Sequence, residues 1–282
     1  MIAPTQKWRK YQTEYGICIN EDCEKVIQKY LIPNFEGEIQ LILTSPPFPL
    51  KRAKKYGNKV GKEYLDWLCG IGNQLGPLLS ENGSIVIEIG NAWNPGEPTF
   101  STLPLETLLS FKNECNLHLC QEFIYYNPAR LPGPIEWVNK QRIRVKDSFT
   151  QIWWMSKTPY PYANNKNVAE PYSRQMKKLL ASGKYNSGTR PSEHIISETA
   201  FSINNGGAIP SNVIIAANTT SNDIYIKKCK EHKLPIHPAR MASAIPEFFI
   251  NFLTQPSDIV LDCFAGSNTT GIIAEKLGRK WI

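Results

Sequence analysis

The feature that most constrains this chain is the pentapeptide Thr44-Ser45-Pro46-Pro47-Phe48, delivered by the apolar run Ile39, Leu41, Ile42 and Leu43. The run reads as a buried strand, and two consecutive prolines end it, because neither can donate a ladder hydrogen bond and each holds the residue before it extended. A strand that stops in this way sets its last residues at the edge of a sheet, where α/β enzymes carry their chemistry. The carbonyls of Ser45 and Pro46 are left to accept from a ligand, the Ser45 hydroxyl can accept or donate beside them, and Phe48 offers an apolar face for stacking. Together they describe a pocket for the exocyclic amine of a planar base. A proline-stiffened turn without function has the same local sequence, so the motif needs a second half.

That half lies far along the chain. Ile259-Val260-Leu261 reads as a buried strand, Asp262-Cys263-Phe264-Ala265-Gly266-Ser267-Asn268 as a small-residue turn, and Thr269-Thr270-Gly271 as a helix start. Backbone amides at such a turn face outward and can hold a polar or anionic group. Thr269, Ile272, Ile273, Lys276 and Leu277 continue at helical spacing, and Gly278 suits the stop.

Tyr15, Ile17 and Ile19 alternate as a short strand, Asn20 can cap the next helix, and Cys23, Val26, Ile27 and Tyr30 share a face of that helix. Further helices are expected over Tyr64–Leu78, Leu103–Phe111 and Met241–Phe252, with strands at Gly83–Gly90, Glu122–Tyr126 and Phe149–Ser156. Strands alternating with helices imply a mostly parallel sheet. Between Pro159 and Pro235 the texture changes to Asn, Ser, Gly, Pro and Lys, which marks an insertion or a surface excursion. The predicted parts are therefore 1–158, 159–235 and 236–282.

With 282 residues and 41% hydrophobic content, the chain can bury one α/β core and a smaller insertion. Its formal charge of +7 suits a polyanionic partner without identifying one. Seven cysteines, an odd number with no Cys-x-x-Cys pair, argue against a disulfide framework or a zinc site and for a reducing compartment. The opening residues lack the apolar core of a signal peptide and no later run is long enough to span a bilayer, so a cytoplasmic protein without a membrane or metal partner is expected.

The two motifs resemble those of the DNA amino-methyltransferases that use S-adenosylmethionine, in the circularly permuted (beta-type) order where the catalytic motif precedes the cofactor motif. Within that class the chain is similar to the PvuII-type modification methyltransferases, through Asn127-Pro128, Pro134 to Lys140, Arg142 to Asp147, Trp153-Trp154, Ser156 to Thr158 and His237-Pro238-Ala239-Arg240. The resemblance implies an α/β, Rossmann-like methyltransferase sheet with a target-recognition region inserted at 159–235, and a Phe149–Ser156 strand that runs antiparallel. It implies catalysis by Ser45, Pro46, Pro47 and Phe48 on a base flipped out of double-stranded DNA. Phenylalanine at position 48 points to cytosine N4, with adenine N6 as the alternative.

For the cofactor, S-adenosylmethionine, it implies Thr44, Asp262, Phe264, Gly266, Ser267, Asn268, Thr269 and Thr270, completed by His237 and Pro238. Asp262 is otherwise a capping or turn aspartate, His237 a structural loop histidine, and Asn127-Pro128 either pocket rim or ordinary turn. Asn268 stands where many relatives carry glycine. Lys51, Arg52, Lys54 and Lys55 come directly after the catalytic loop and grip phosphates or form a solvated basic loop. Arg142, Arg144 and Lys146, with Arg130 and Lys140, make a second basic stretch around Trp137. Trp153 and Trp154 read as core.

Hydrogen bonds from the amine to Ser45 and to the Pro46 carbonyl would favour a pyramidal nitrogen without a strong base, and the proton can leave to water. Cytosine C5 chemistry is disfavoured because no cysteine follows a proline, and the glycine spacing at Gly266 is not a dinucleotide fingerprint. A monomer and a cognate restriction endonuclease are the expected state and partner. The sequence ends at Lys280-Trp281-Ile282, where the resemblance implies a strand leading to a ribose-binding acid. A truncated or split chain, or a DNA-binding remnant with little methyl transfer, is the competing expectation.

Overall fold

The computed structural model describes residues 4–49, 59–183, 187–197, 200–218, 224–237 and 239–282. The chain divides into two compact units, Met1–Tyr162 with Asn212–Ile282, and Ala163–Ser211. The larger unit opens with an antiparallel hairpin, β1 (Arg9–Gln12) and β2 (Ile17–Asn20). A helical segment comes next as α1 (Cys23–Val26), a π-helical stretch (Ile27–Leu31) and α2 (Ile32–Phe35). Asp22, not Asn20, caps it: the Asp22 side chain accepts from Lys25 N at 3.1 Å. Asn20 is instead the last residue of β2, paired with Arg9, and its backbone is committed to the hairpin.

The larger unit continues with β3 (Ile39–Thr44), α3 (Gly61–Leu75), β4 (Leu79–Gly90), α4 (Leu103–Glu114), β5 (His118–Tyr126) and β6 (Phe149–Ser156). The smaller unit holds α5 (Arg174–Ser182), β7 (Gly188–Thr189) and β8 (Ile195–Ile196). The chain then returns to the larger unit with β9 (Val213–Ile215), α6 (Ile224–Glu231), α7 (Ala244–Leu253), β10 (Ile259–Leu261), α8 (Thr269–Lys276) and β11 (Lys280–Trp281).

One seven-stranded sheet runs in the order β11-β10-β3-β4-β6-β5-β9. Within it β6 pairs antiparallel with both β4 and β5, while the other neighbours pair parallel. Every residue of β3 is buried, as expected of a parallel strand covered on both faces. Its internal polar side chain, Gln40, is satisfied by Ser80 Oγ, which donates at 2.8 Å, and by donating to Leu253 O at 3.3 Å.

On one face Tyr64, Leu68, Ile71 and Leu75 of α3 pack over Ile42, Ile85, Ile87, Trp153 and Met155. On the other, Phe249 of α7 meets Phe123 at 5.0 Å between ring centroids and Phe252 meets Trp154 at 5.2 Å. Trp153 and Trp154 are thus core residues, one on each face. From β3 the chain proceeds to β4 on one side, and from β10 to β11 on the other, so the strand order reverses between β3 and β10. That reversal opens a crevice at their carboxyl ends.

In the smaller unit, Ser173 caps α5 and β7 pairs antiparallel with β8. This unit is narrower than the composition shift, because Asn212 already donates its side-chain amide to Glu122 O at 2.9 Å and β9 extends the main sheet beside β5. No helix among the described residues is long and apolar enough to cross a membrane.

The hairpin is fastened to the sheet at β11. Trp281 N donates to Tyr15 O at 3.1 Å, and the Trp281 indole lies where a Cβ at Gly16 would be. Gly16→Ala is therefore expected to destabilise the fold by about 1–3 kcal/mol, seen as a lower urea midpoint at unchanged slope; a native midpoint would contradict this packing.

Candidate active site

Asp262 follows the buried strand β10 and is itself 9% exposed. One carboxylate oxygen accepts from Thr44 Oγ1 at 2.7 Å and from Phe264 N at 3.1 Å, and the other accepts from Thr270 Oγ1 at 2.7 Å. Burial pushes the carboxyl above its ordinary range, and the three donors oppose that shift. Thr44 is the last residue of β3, 218 positions earlier, and Thr270 lies in the first turn of α8. The carboxylate thus ties the Ser45-Pro46-Pro47-Phe48 loop to the turn after β10. Both oxygens of Asp262 are engaged by protein donors.

The turn between Asp262 and α8 passes through two left-handed residues, Gly266 (φ 53°) and Asn268 (φ 56°). Asparagine is among the few side chains that tolerate this region. Asn268 N donates to Ala265 O at 2.7 Å, and the Ser267 and Thr269 hydroxyls lie 3.0 Å apart. At Gly271 a Cβ would overlap the Asn268 side chain, so this position requires glycine. The His237 ring packs against Gly266, its Cε1 3.2 Å from where a Cβ would be. His237 N donates to the Tyr225 hydroxyl at 3.1 Å, while Nδ1 is buried with no partner among the described residues. Pro238 lies outside the described residues.

Phe264 meets Trp67 of α3 at 5.6 Å between ring centroids, and Trp67 Nε1 donates to Glu24 at 3.0 Å. An orphaned imidazole nitrogen, a glycine turn without room for a side chain and an aromatic wall fit the amino-acid and adenine ends of S-adenosylmethionine. Trp67 was not legible from spacing, since it sits in α3 as one more apolar residue of an amphipathic helix.

Beyond Thr44, Phe48 packs its ring on Gly90 where a Cβ would overlap it, so β4 must end in glycine. Two residues earlier, on the same face of β4, Glu88 is buried. It accepts from Thr150 Oγ1 of β6 at 3.0 Å and is hydrogen-bonded to the Ser45 side chain. Burial pushes Glu88 up to about 7 against the lowering influence of Thr150, Ser45 and the Arg130 charge. Tyr125 of β5, in register with Thr150, buries a hydroxyl that has no partner among the described residues. Desolvation and the nearby Glu88 push that phenol up to about 12. The sequence signal for Glu88 was a single charge inside the run Ile85-Val86-Ile87-Glu88-Ile89.

Lys51, Arg52, Lys54 and Lys55 lie outside the described residues. Arg142 is exposed with φ 56°, whereas Arg144 Nε donates to Pro98 O at 2.9 Å and Lys146 Nζ donates to Pro128 O at 3.0 Å. Asn127 forms a local turn, its side-chain oxygen accepting from Ala129 N at 3.0 Å.

Residues 39–282 match the family model N6_N4_Mtase, described as DNA methylase. The chain belongs to this DNA methylase family. It is 44% identical over 255 residues to the Type II methyltransferase M.PvuII of Proteus hauseri, covering 89% of this chain and 76% of that protein. M.BglII of Bacillus subtilis is 24% identical over 253 residues, covering 86% of this chain and 59% of that protein. Among solved structures, the PvuII DNA methyltransferase (cytosine-N4-specific) superposes with a TM-score of 0.75 at 36% identity, over 96% of this chain and 82% of that one. The M1.HpyAVI–SAM complex superposes at 0.52 and 18% identity, over 93% and 88%, a likeness of fold. The methyltransferase sheet expected from the motifs is the fold observed.

The buried Glu88 gives this DNA methylase a definite pH response. Its folded pKa of about 7 lies above the ordinary 4.5, so its contribution to stability is full below pH 4.5 and is lost as pH rises through 7. Glu88→Gln keeps an acceptor for Thr150 and cannot ionise. It should gain up to about 3 kcal/mol on the native protein between acid and alkaline pH, measured by urea unfolding across the range. Parallel pH profiles would contradict the buried carboxyl.

Proposed function

We propose that this chain transfers a methyl group from S-adenosylmethionine to the N4 amino group of a cytosine in double-stranded DNA, as the modification partner of a type II restriction–modification pair. The observation that carries the reading is the Thr44–Asp262–Thr270 bridge, which joins the Ser45–Phe48 loop to the cofactor turn. Its 44% identity to M.PvuII, and likeness to a structure named as cytosine-N4-specific, favour cytosine N4 over adenine N6. Bound at the Phe264–Thr270 turn and against His237, S-adenosylmethionine supplies an electrophilic methyl group. Thr44 and Asp262 belong to that cofactor site by positioning its backbone.

The protein's part is to hold the amine and to take its proton. Ionised Glu88 accepts from the Ser45 hydroxyl, which turns the serine oxygen's lone pairs toward the amine; the Pro46 carbonyl accepts its other hydrogen, and Phe48 stacks on the ring. As the nitrogen gains positive charge, its proton passes to Ser45 while the serine proton passes to Glu88. A carboxyl with a pKa of about 7 suits that exchange near neutrality. Glu88 thus offers a buried acceptor where the sequence had suggested water.

Residues 159–235 are the target-recognition region in this reading. Lys51, Arg52, Lys54, Lys55 and Arg142 contact phosphates, with Arg144 and Lys146 shaping the loop beside them. The protein acts as a cytoplasmic monomer, with a cognate endonuclease cutting the same unmodified site.

Labelled methyl transfer to unmethylated bacterial DNA, with nucleoside analysis of the product, tests the activity. N4-methylcytosine is expected, with Ser45→Ala slowing transfer by about 100-fold or more. N6-methyladenine would replace the reading with its adenine counterpart, and DNA binding without transfer would favour a remnant.

A further inference from the structure

The segment from Asn127 to Ser148 leaves the sheet between β5 and β6 as a finger closed at its base by Asn127 N donating to Ser148 O at 2.8 Å. The base adjoins the site. Asn91, just past Gly90, donates to Asp147 at 2.9 Å and to Phe149 O at 3.3 Å, and Thr150 next to it holds Glu88. The finger is braced from within. Lys146 Nζ donates to Pro128 O at 3.0 Å, Asp147 N to Gly133 O at 3.4 Å, and both Ile143 N and Arg144 N to Trp137 O at 3.0 and 3.3 Å. Despite this order, Leu131 is 83% exposed and Val145 86% exposed. Their limbs run side by side, since Lys146 and Asp147 bond across to residues 128 and 133.

A braced loop that holds two aliphatic side chains in water has not merely failed to bury them; the bracing keeps them from folding back. The two side chains sit near the base of the finger, toward Asn91 and Thr150; of its basic residues, Arg130 and Lys140 lie within ion-pair distance of Asp147 and Glu136, Arg144 and Lys146 donate to backbone carbonyls, and Arg142 is exposed and can meet a phosphate. The apolar surface that becomes available beside this site is the face of the bases flanking a nucleotide that has left the stack.

We infer that the finger is a wedge: Leu131 and Val145 enter the base stack of duplex DNA at the gap left by the target nucleotide, while the exposed Arg142 meets a neighbouring phosphate. The inference rests on the methyltransferase reading of the site and adds to it the device that keeps the base out of the helix. The wedge acts on opening the duplex and takes no part in the transfer itself.

The test compares the native chain with Leu131→Ala/Val145→Ala in single-turnover methyl transfer at saturating enzyme. Two duplexes carry the site that the native chain modifies: one fully paired, and one with an abasic position opposite the target cytosine, which is then already unpaired. On the paired duplex the variant should be slower by about 10- to 100-fold, and on the abasic duplex by less than about threefold. Equal losses on both would assign these residues to binding or structure, and no loss on either would remove them from base opening; each overturns the wedge. If the native chain modifies neither duplex, the methyltransferase reading itself falls and the wedge with it, an outcome visible before the variant is made.

Discussion

The carboxylate of Asp262 is the interaction on which the rest of the site depends. Parallel strands β3 and β10 bring their carboxyl ends together because both are apolar and buried, but ladder hydrogen bonds stop at those ends and leave the two loops beyond them free to diverge. Asp262 closes that gap by accepting from a side chain at the end of β3, a backbone amide in its own turn and a hydroxyl in the first turn of α8. Burying an acidic group is unfavourable unless such donors surround it, so the fold must keep all of them in place. The Ser45–Phe48 loop and the turn after β10 are therefore positioned by one shared group, and a change at either end is felt at the other.

Glu88 repeats the theme with a different outcome. It too is buried at a strand end, yet only two hydroxyls and a more distant Arg130 charge offset the loss of water, and its pKa settles at about 7. Asp262 uses its acceptor oxygens to tie two loops together; Glu88, bonded to Thr150 and Ser45, is held near its own ionisation point. The two carboxyls, approached from β10 and β4, flank β3 and its Ser45-Pro46-Pro47-Phe48 extension. One carboxyl holds the turn after β10 and the other the Ser45 side chain.

Much of this was legible in the sequence because it is encoded in short contiguous signals. The prolines after Leu43 announce the end of β3, the run Ile259 to Leu261 announces β10, and the glycines and small polar residues after Asp262 announce the turn. The illegible part depends on register between distant strands. Nothing near Glu88 shows that Thr150 and Ser45 will face it, because the first contact arises only when β6 inserts antiparallel beside β4 and the second only when β3 lies parallel on the other side of β4. Trp67 looks like any apolar helix residue until α3 lies over Phe264. The capping of α1 by Asp22 instead of Asn20 turned on β2 running through to Asn20, and the return of Val213–Ile215 to the sheet is hidden in a segment whose composition reads as insertion.

The coupling through Asp262 is tested most directly by a double-mutant cycle, measuring S-adenosylmethionine binding calorimetrically for Thr44→Val, Asp262→Asn and the pair. If the bond between these side chains carries the coupling, each single change weakens binding and the double variant loses little beyond Asp262→Asn alone. Losses that simply add would show that Thr44 and Asp262 act independently, and would contradict the view that one buried carboxylate holds the two halves of the site together.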